Sequence, residues 1–243
     1  MRLSIQKIFI LISAAFIFSS CAAVYVPNVA HTTFYEENGD LSVSGFVGST
    51  GYDGQVSFAM TDNLYLYGAA SYLKEDSTNN ENNDEDYLKH KYQEGAIGFY
   101  HCMGSSGRYT MHMGMGHGES EAYDSYVFFG DNELMAKGKY RKYFFQSALG
   151  MSKDIVDLGG AIRYNYVDFY KFSTTSENIP GVEHIFNQFI EPSFFVRVGY
   201  KYIKWHFQYS VAIGLRDESP FDYRANRISM GITFKYNILG KNF

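Results

Sequence analysis

The sequence predicts an all-β protein, an antiparallel up-and-down transmembrane β-barrel of about ten strands, with roughly eight to twelve compatible with the same pattern. Three observations predict it. Two long segments near the C-terminus alternate between apolar and polar residues over about a dozen positions each, longer than strands of water-soluble sheets. Connections between alternating segments are short and long by turns. Aromatic residues make up 18% of the chain, with 22 Tyr and 21 Phe, yet the mean hydropathy is only −0.24. A helical membrane protein needs several apolar runs of about 20 residues, whereas a membrane barrel hides its apolar residues in alternation.

The N-terminus reads as an export signal covering residues 1–20. Arg2 and Lys7 precede an apolar run at 8–19, which is too short to span a bilayer. The run ends in Phe18-Ser19-Ser20-Cys21, a lipobox-like sequence that predicts lipidation of Cys21; cleavage nearby with an unmodified Cys21 is the simpler alternative. The second cysteine, Cys102, falls in an expected turn, and a Cys21–Cys102 disulfide is the other pairing an oxidising compartment allows. Residues 21–39 carry no period and include Pro27 and Asn28, so they read as a periplasmic tether, leaving 40–243 for the barrel.

The strands are expected near 41–49, 51–60, 64–73, 90–101, 108–121, 139–151, 155–172, 190–200, 204–216 and 227–239. In the last, Ile228, Met230, Ile232, Phe234, Tyr236 and Ile238 share one face; in the one before, Trp205, Phe207, Tyr209, Val211, Ile213 and Leu215 do. Short turns near 61–63, 103–107, 152–154 and 201–203 alternate with long connections at 74–89, 122–138, 173–189 and 217–226. The connection at Ser49-Thr50-Gly51 is short and breaks that rhythm. Short turns at one end and long loops at the other mark outer-membrane barrels, and an even strand count predicts both termini on the short-turn, periplasmic side. The aromatic end, Phe243, behind a clean final strand fits the terminal signal of such barrels.

The opposite parity of the same strands predicts the lumen. Asp157, Arg163, Glu191, Arg197, His206, Arg216 and Lys235 form an expected polar network there, with Asn165, Ser193 and Gln208 beside it. Ten strands enclose little more than side-chain room, so these charges are expected to pair as a structural plug; a selective ion path is the competing reading. His112 and His117 are five apart, which puts them on opposite faces of one strand and predicts no shared metal. Met111, Met113 and Met115 read as a lipid-facing stripe. No nucleophile-elbow, P-loop or dinucleotide motif appears, and no cofactor is expected.

Residues 75–86 are acidic and almost without apolar side chains; a solvated, disordered loop is expected, with a divalent-cation site as the alternative. The stretch 122–138 contains Tyr123, Tyr126, Val127, Phe128 and Phe129 and is expected to fold over the barrel mouth or to meet a partner protein. A net charge of −5 with no evident basic patch argues against nucleic acid as a partner. Outer-membrane lipid is the partner the barrel itself implies.

The run Tyr25-Val26-Pro27-Asn28, then Gly45-Phe46-Val47-Gly48-Ser49, Gly51-Tyr52-Asp53 and Thr61-Asp62-Asn63, resembles a group of outer-membrane β-barrel lipoproteins common in Bacteroidetes. The resemblance covers residues 15–75 best. It implies a lipid-anchored barrel in the outer membrane and brings no activity or catalytic residues with it. The function expected is therefore non-enzymatic, as a structural barrel or assembly subunit. A small channel or hydrophobic-ligand transporter is the alternative, and a membrane-embedded hydrolase or acyltransferase stands behind both.

Overall fold

The computed structural model describes residues 23–79, 84–124, 134–175, 184–200, 202–216, 219 and 221–240. They form β1 (Asp40–Gly48), β2 (Gly51–Ala59), β3 (Leu64–Asn79), β4 (Asp84–Met103), β5 (Gly107–Asp124), β6 (Leu134–Ser152), β7 (Val156–Thr174), β8 (Ile185–Tyr200), β9 (Ile203–Val211), the two-residue β10 (Ile213–Gly214) and β11 (Asn226–Asn237). Each strand pairs antiparallel with the next from β1 to β9, and β9 pairs with β11. β1 then pairs with β11 from Asp40↔Asn237 to Gly48↔Ser229, which closes the sheet. β10 continues β9 along β8 after a break at Ala212, so the wall is a closed barrel of ten staves.

Alternation explains why these segments form a barrel rather than a sandwich. Outward side chains such as Val43, Met113, Phe145, Ile162, Phe194, Trp205 and Phe234 are exposed, while their strand neighbours Ser42, His112, Gln146, Arg163, Ser193, His206 and Thr233 are buried. The polarity is the reverse of a water-soluble fold. A continuous apolar outer belt of this extent marks a surface built to meet something other than water.

The strands are unequal, from 9 residues in β1 and β2 to 20 in β4. The longer ones rise past the belt at the long-loop end, and there the polarity inverts. Outward positions become charged, as at Lys91, Glu119, Lys139 and Lys171. Inward positions become apolar: Leu73, Leu88, Ala122, Ala136, Phe169 and Phe172 form a core with Val24, Tyr25, Val26 and Phe221. Above the belt the barrel is built like an ordinary soluble sheet protein.

Three expectations change, and the short β1–β2 connection stands as expected. The acidic stretch 75–86 belongs mostly to the β3–β4 hairpin, because cross-strand backbone bonds form whatever the side-chain polarity; only 80–83 lie outside the described residues. The stretch 122–138 shrinks as β5 and β6 lengthen, and Tyr126, Val127, Phe128 and Phe129 lie outside the described residues. The short connection after β1 is a tight turn at the long-loop end, made by Gly51 at φ +90°, a conformation glycine adopts without strain.

The third change is the largest. The span 21–39 was expected to be a tether, yet residues 23–35 are all buried inside the barrel. A segment packed on every side shows no amphipathic period, and so reads like a linker. Its direction also separates the two ends of the described chain. Tyr25 bridges to Tyr223 and the Val24 amide donates to the Asp222 carbonyl, in the long connection before β11. The chain then descends to Asp40, which faces Asn237 at the short-turn end. The described chain thus begins at the long-loop mouth and ends at the opposite one, where an even strand count had placed both. Cys21 and Phe243 lie outside the described residues. Cys102, expected in a turn, is a free thiol in β4 one residue before its end, with Sγ 3.6 Å from the Tyr35 carbonyl.

Candidate functional site

The site is the filled lumen, built by residues 23–35 against the inward faces of the strands. From the long-loop end, Tyr25 stacks on Phe189 with ring centroids 4.7 Å apart, and its hydroxyl donates to Glu191 at 2.9 Å. Arg227 donates to the Pro27 carbonyl and to Asp53. Asp53 also accepts from the Val29 amide at 3.1 Å and from Ser71 at 2.8 Å. This is the first charged layer.

The second layer centres on Glu94. Its carboxylate lies 3.3 Å from both Lys142 Nζ and Arg163 Nη1, and it accepts from Tyr67 at 2.6 Å, Tyr92 at 2.7 Å and Asn28 at 2.8 Å. Asn28 Oδ1 in turn accepts from Lys142 at 2.6 Å. A side chain of the threaded segment therefore completes a wall ion cluster. Both strong charges on the cation side are matched or hydrogen-bonded, which is what makes ion burial tolerable.

Below this, His31 sits between Gln55 and the Tyr35 hydroxyl, with its ring stacked on Tyr67. Gln146 donates to the His31 carbonyl and accepts from Arg163. Arg197 donates to the Thr32 carbonyl at 2.9 Å and pairs with Asp157 at 3.3 Å, which also holds Lys204 at 2.7 Å. Phe34 packs edge-on against Phe195. The lumen then opens into a short-turn mouth of about 660 Å³ lined by Glu36, Asp40, Arg108, Lys204 and Lys235 among others.

Most of the expected lumen residues meet this network, in different partnerships. Arg163 and Glu191 face one another in register, but Arg163 turns to Glu94 and Glu191 to Tyr25. Asp157 and Arg197 pair directly. His206 is buried between the Phe46 and Phe195 rings, and Lys235 pairs with Asp40 and Glu36 at the mouth. Arg216 does not join. The break at Ala212 ends β9 before it, and its guanidinium lies exposed, donating to the Phe186 carbonyl at 2.8 Å.

Glu94, Lys142, Asp53, Arg227 and Asn28 were not foreseen. Arg227 and Glu94 were readable, since Ile228 and Ile97 fix the outward parity of their strands. Lys142 was not, because Tyr143, Phe144 and Phe145 put aromatic residues on both faces of β6.

The charge count decides what the lumen can do. Among the described residues, five buried cations (Arg108, Lys142, Arg163, Arg197, Arg227) stand against five buried carboxylates (Asp40, Asp53, Glu94, Asp157, Glu191). Near-equal numbers of fully buried cations and carboxylates, most of them paired, suit a packed ionic interior. His112 is buried against Tyr65, while His117 faces outward and stacks on Tyr170, so the two do not converge. Glu119 and Glu121, beside His117, are paired with Lys139 and Lys137 on the outer face.

No family model matches the chain, and no curated protein matches it. Among solved structures it is similar to the TodX deltaS2S3 mutant monoaromatic hydrocarbon channel, at 9% identity, over 82% of this chain and 89% of that one, with a TM-score of 0.35. The likeness is too distant to bring a function with it.

Proposed function

We propose that the chain is an outer-membrane barrel lipoprotein sealed by its own N-terminal segment, with an architectural role in place of conduction or catalysis. The observation that carries this is the course of residues 23–35, which fill the lumen and bond to wall residues on β2, β4, β6, β7, β8 and β11. An apolar cap at the long-loop end and a neutral ion cluster beneath it leave solute no continuous route. The apolar outer belt supports placement in a membrane, with the long connections outside and the short turns in the periplasm as in other outer-membrane barrels.

Lipidation of Cys21 is part of this reading, and the direction of the threaded segment refines it. Ala23 lies at the long-loop mouth, and two residues extend about 7 Å at most. The acyl group would therefore meet the outer leaflet. The aromatic stretch 122–138 remains the proposed contact for a partner protein.

Planar-bilayer recording tests the sealed lumen: the purified full chain should add no stepwise current, and steady ohmic channels would overturn the reading. Epitopes placed before Ala23 and after Gly240 test the threading. The first should label on intact cells and the second only after permeabilisation. Loss of radiolabelled palmitate in Cys21→Ser checks the anchor.

A further inference from the structure

We infer that the outer face of β4–β7 binds a phosphate-bearing lipid of the surrounding leaflet, headgroup above the belt and acyl chain in a groove below it. The inference rests on the membrane reading above and names a ligand for the same surface.

Four strands in register build the site. The row Gly95↔Met115↔Tyr143↔Tyr166 is the upper edge of the apolar belt. Two residues further along each strand comes Gln93↔His117↔Arg141↔Asp168, and beyond it Lys91↔Glu119↔Lys139↔Lys171. The following row adds Lys89, Glu121 and Lys137. Among the described side chains these rows hold six cations against three carboxylates, on a protein whose net charge is −5. The band is assembled only when β4–β7 lie side by side, since its cations come from three separate strands.

The carboxylates do not neutralise the band. Glu119 holds Lys139 at 2.5 Å and Glu121 holds Lys137 at 3.0 Å. Asp168 lies near His184, at 3.7 Å. Among the described residues, Lys89, Lys91, Arg141 and Lys171 make no ion pair. Three of them lie over tyrosine rings, Lys89 on Tyr87, Lys91 on Tyr72 and Arg141 on Tyr170, which steadies them at the surface. Lys91 and Lys171 are three strand spacings apart, about 14 Å, a span suited to a headgroup with more than one phosphate.

Directly beneath is a groove lined by Leu66, Gly95, Ile97, Met113, Met115 and Phe145. It exists because Gly95 has no side chain, and a Cβ there would meet nothing nearer than the Tyr67 carbonyl at 3.9 Å. Charge complementarity above and an apolar slot below, in one vertical line, select an anionic lipid over a free anion or a neutral lipid.

The test uses the full chain in phosphatidylcholine nanodiscs with or without bisphosphorylated lipid A, scored by native mass spectrometry for retained lipid. The wild type should keep lipid A in preference to its dephosphorylated form. Lys91→Gln/Arg141→Gln/Lys171→Gln should weaken retention at least about tenfold. Gly95→Leu should weaken it too, by filling the slot, and both variants should keep heat-modifiable gel migration as proof of a closed barrel. Equal retention by the triple variant, or equal competition by inorganic phosphate, would overturn the site alone. A chain that stays soluble without detergent would overturn the membrane reading and this inference with it.

Discussion

Glu94 joins more partners than any other side chain in the lumen. It faces Arg163 and Lys142 at once and takes hydrogen bonds from two tyrosines and from Asn28. Removing its charge leaves two cations in a closed space, so Glu94→Gln should cost about 3–5 kcal/mol in urea titration of the micelle-bound barrel. Glu119→Gln, which breaks only an exposed pair with Lys139, should stay within about 1 kcal/mol. Strand parity made Arg163, Arg197 and His206 legible as inward residues, because a period of two survives without tertiary information. Which carboxylate each cation would choose was not legible. That choice depends on register across strands and on Asn28, from a segment with no period at all. Arg216 shows the limit of parity in another way, since a single break at Ala212 removes it from the lumen.

At the level of the strand, β5 shows the polarity inversion most clearly. Met113 and Met115 are well exposed on the belt, and two positions beyond Met115 the same face carries His117, then Glu119 and Glu121. Met113→Arg should destabilise the barrel by about 1–2 kcal/mol in micelle-bound urea titration, the cost of a charge one row below the upper edge of the apolar layer, between the midplane and interfacial values. Glu121→Arg, above the belt, should give a far smaller loss. At the β1–β2 turn, a Cβ on Gly51 would fall 2.3 Å from the Tyr72 carbonyl at an already positive φ. Gly51→Ala should therefore cost about 1–3 kcal/mol in the same assay. All ten staves were readable from alternation and turn residues. Their ends were not, because beyond the belt the inward and outward faces exchange character, and the periodic signal cancels where β3–β6 continue.

For the molecule as a whole, residues 23–35 replace the water or ligand that a hollow barrel would hold. Deleting them should leave paired charges facing an open lumen. The shortened chain should either show bilayer current or lose heat-modifiable migration; a silent, folded barrel would count against the plug. The topology of the N-terminus was the feature least visible in the sequence, since counting strands locates Asp40 and Asn237 but not what precedes them.

The seam between β1 and β11 has a consequence for manufacture. Once those nine residue pairs form, a chain already lying inside cannot be withdrawn sideways. A segment that enters sideways must do so before closure, and closure waits for β11, the last strand in the chain. With the wall closed around it and β1 continuing directly from its lower end, the finished segment is a string held by its own bead: it can move only lengthwise, towards a mouth.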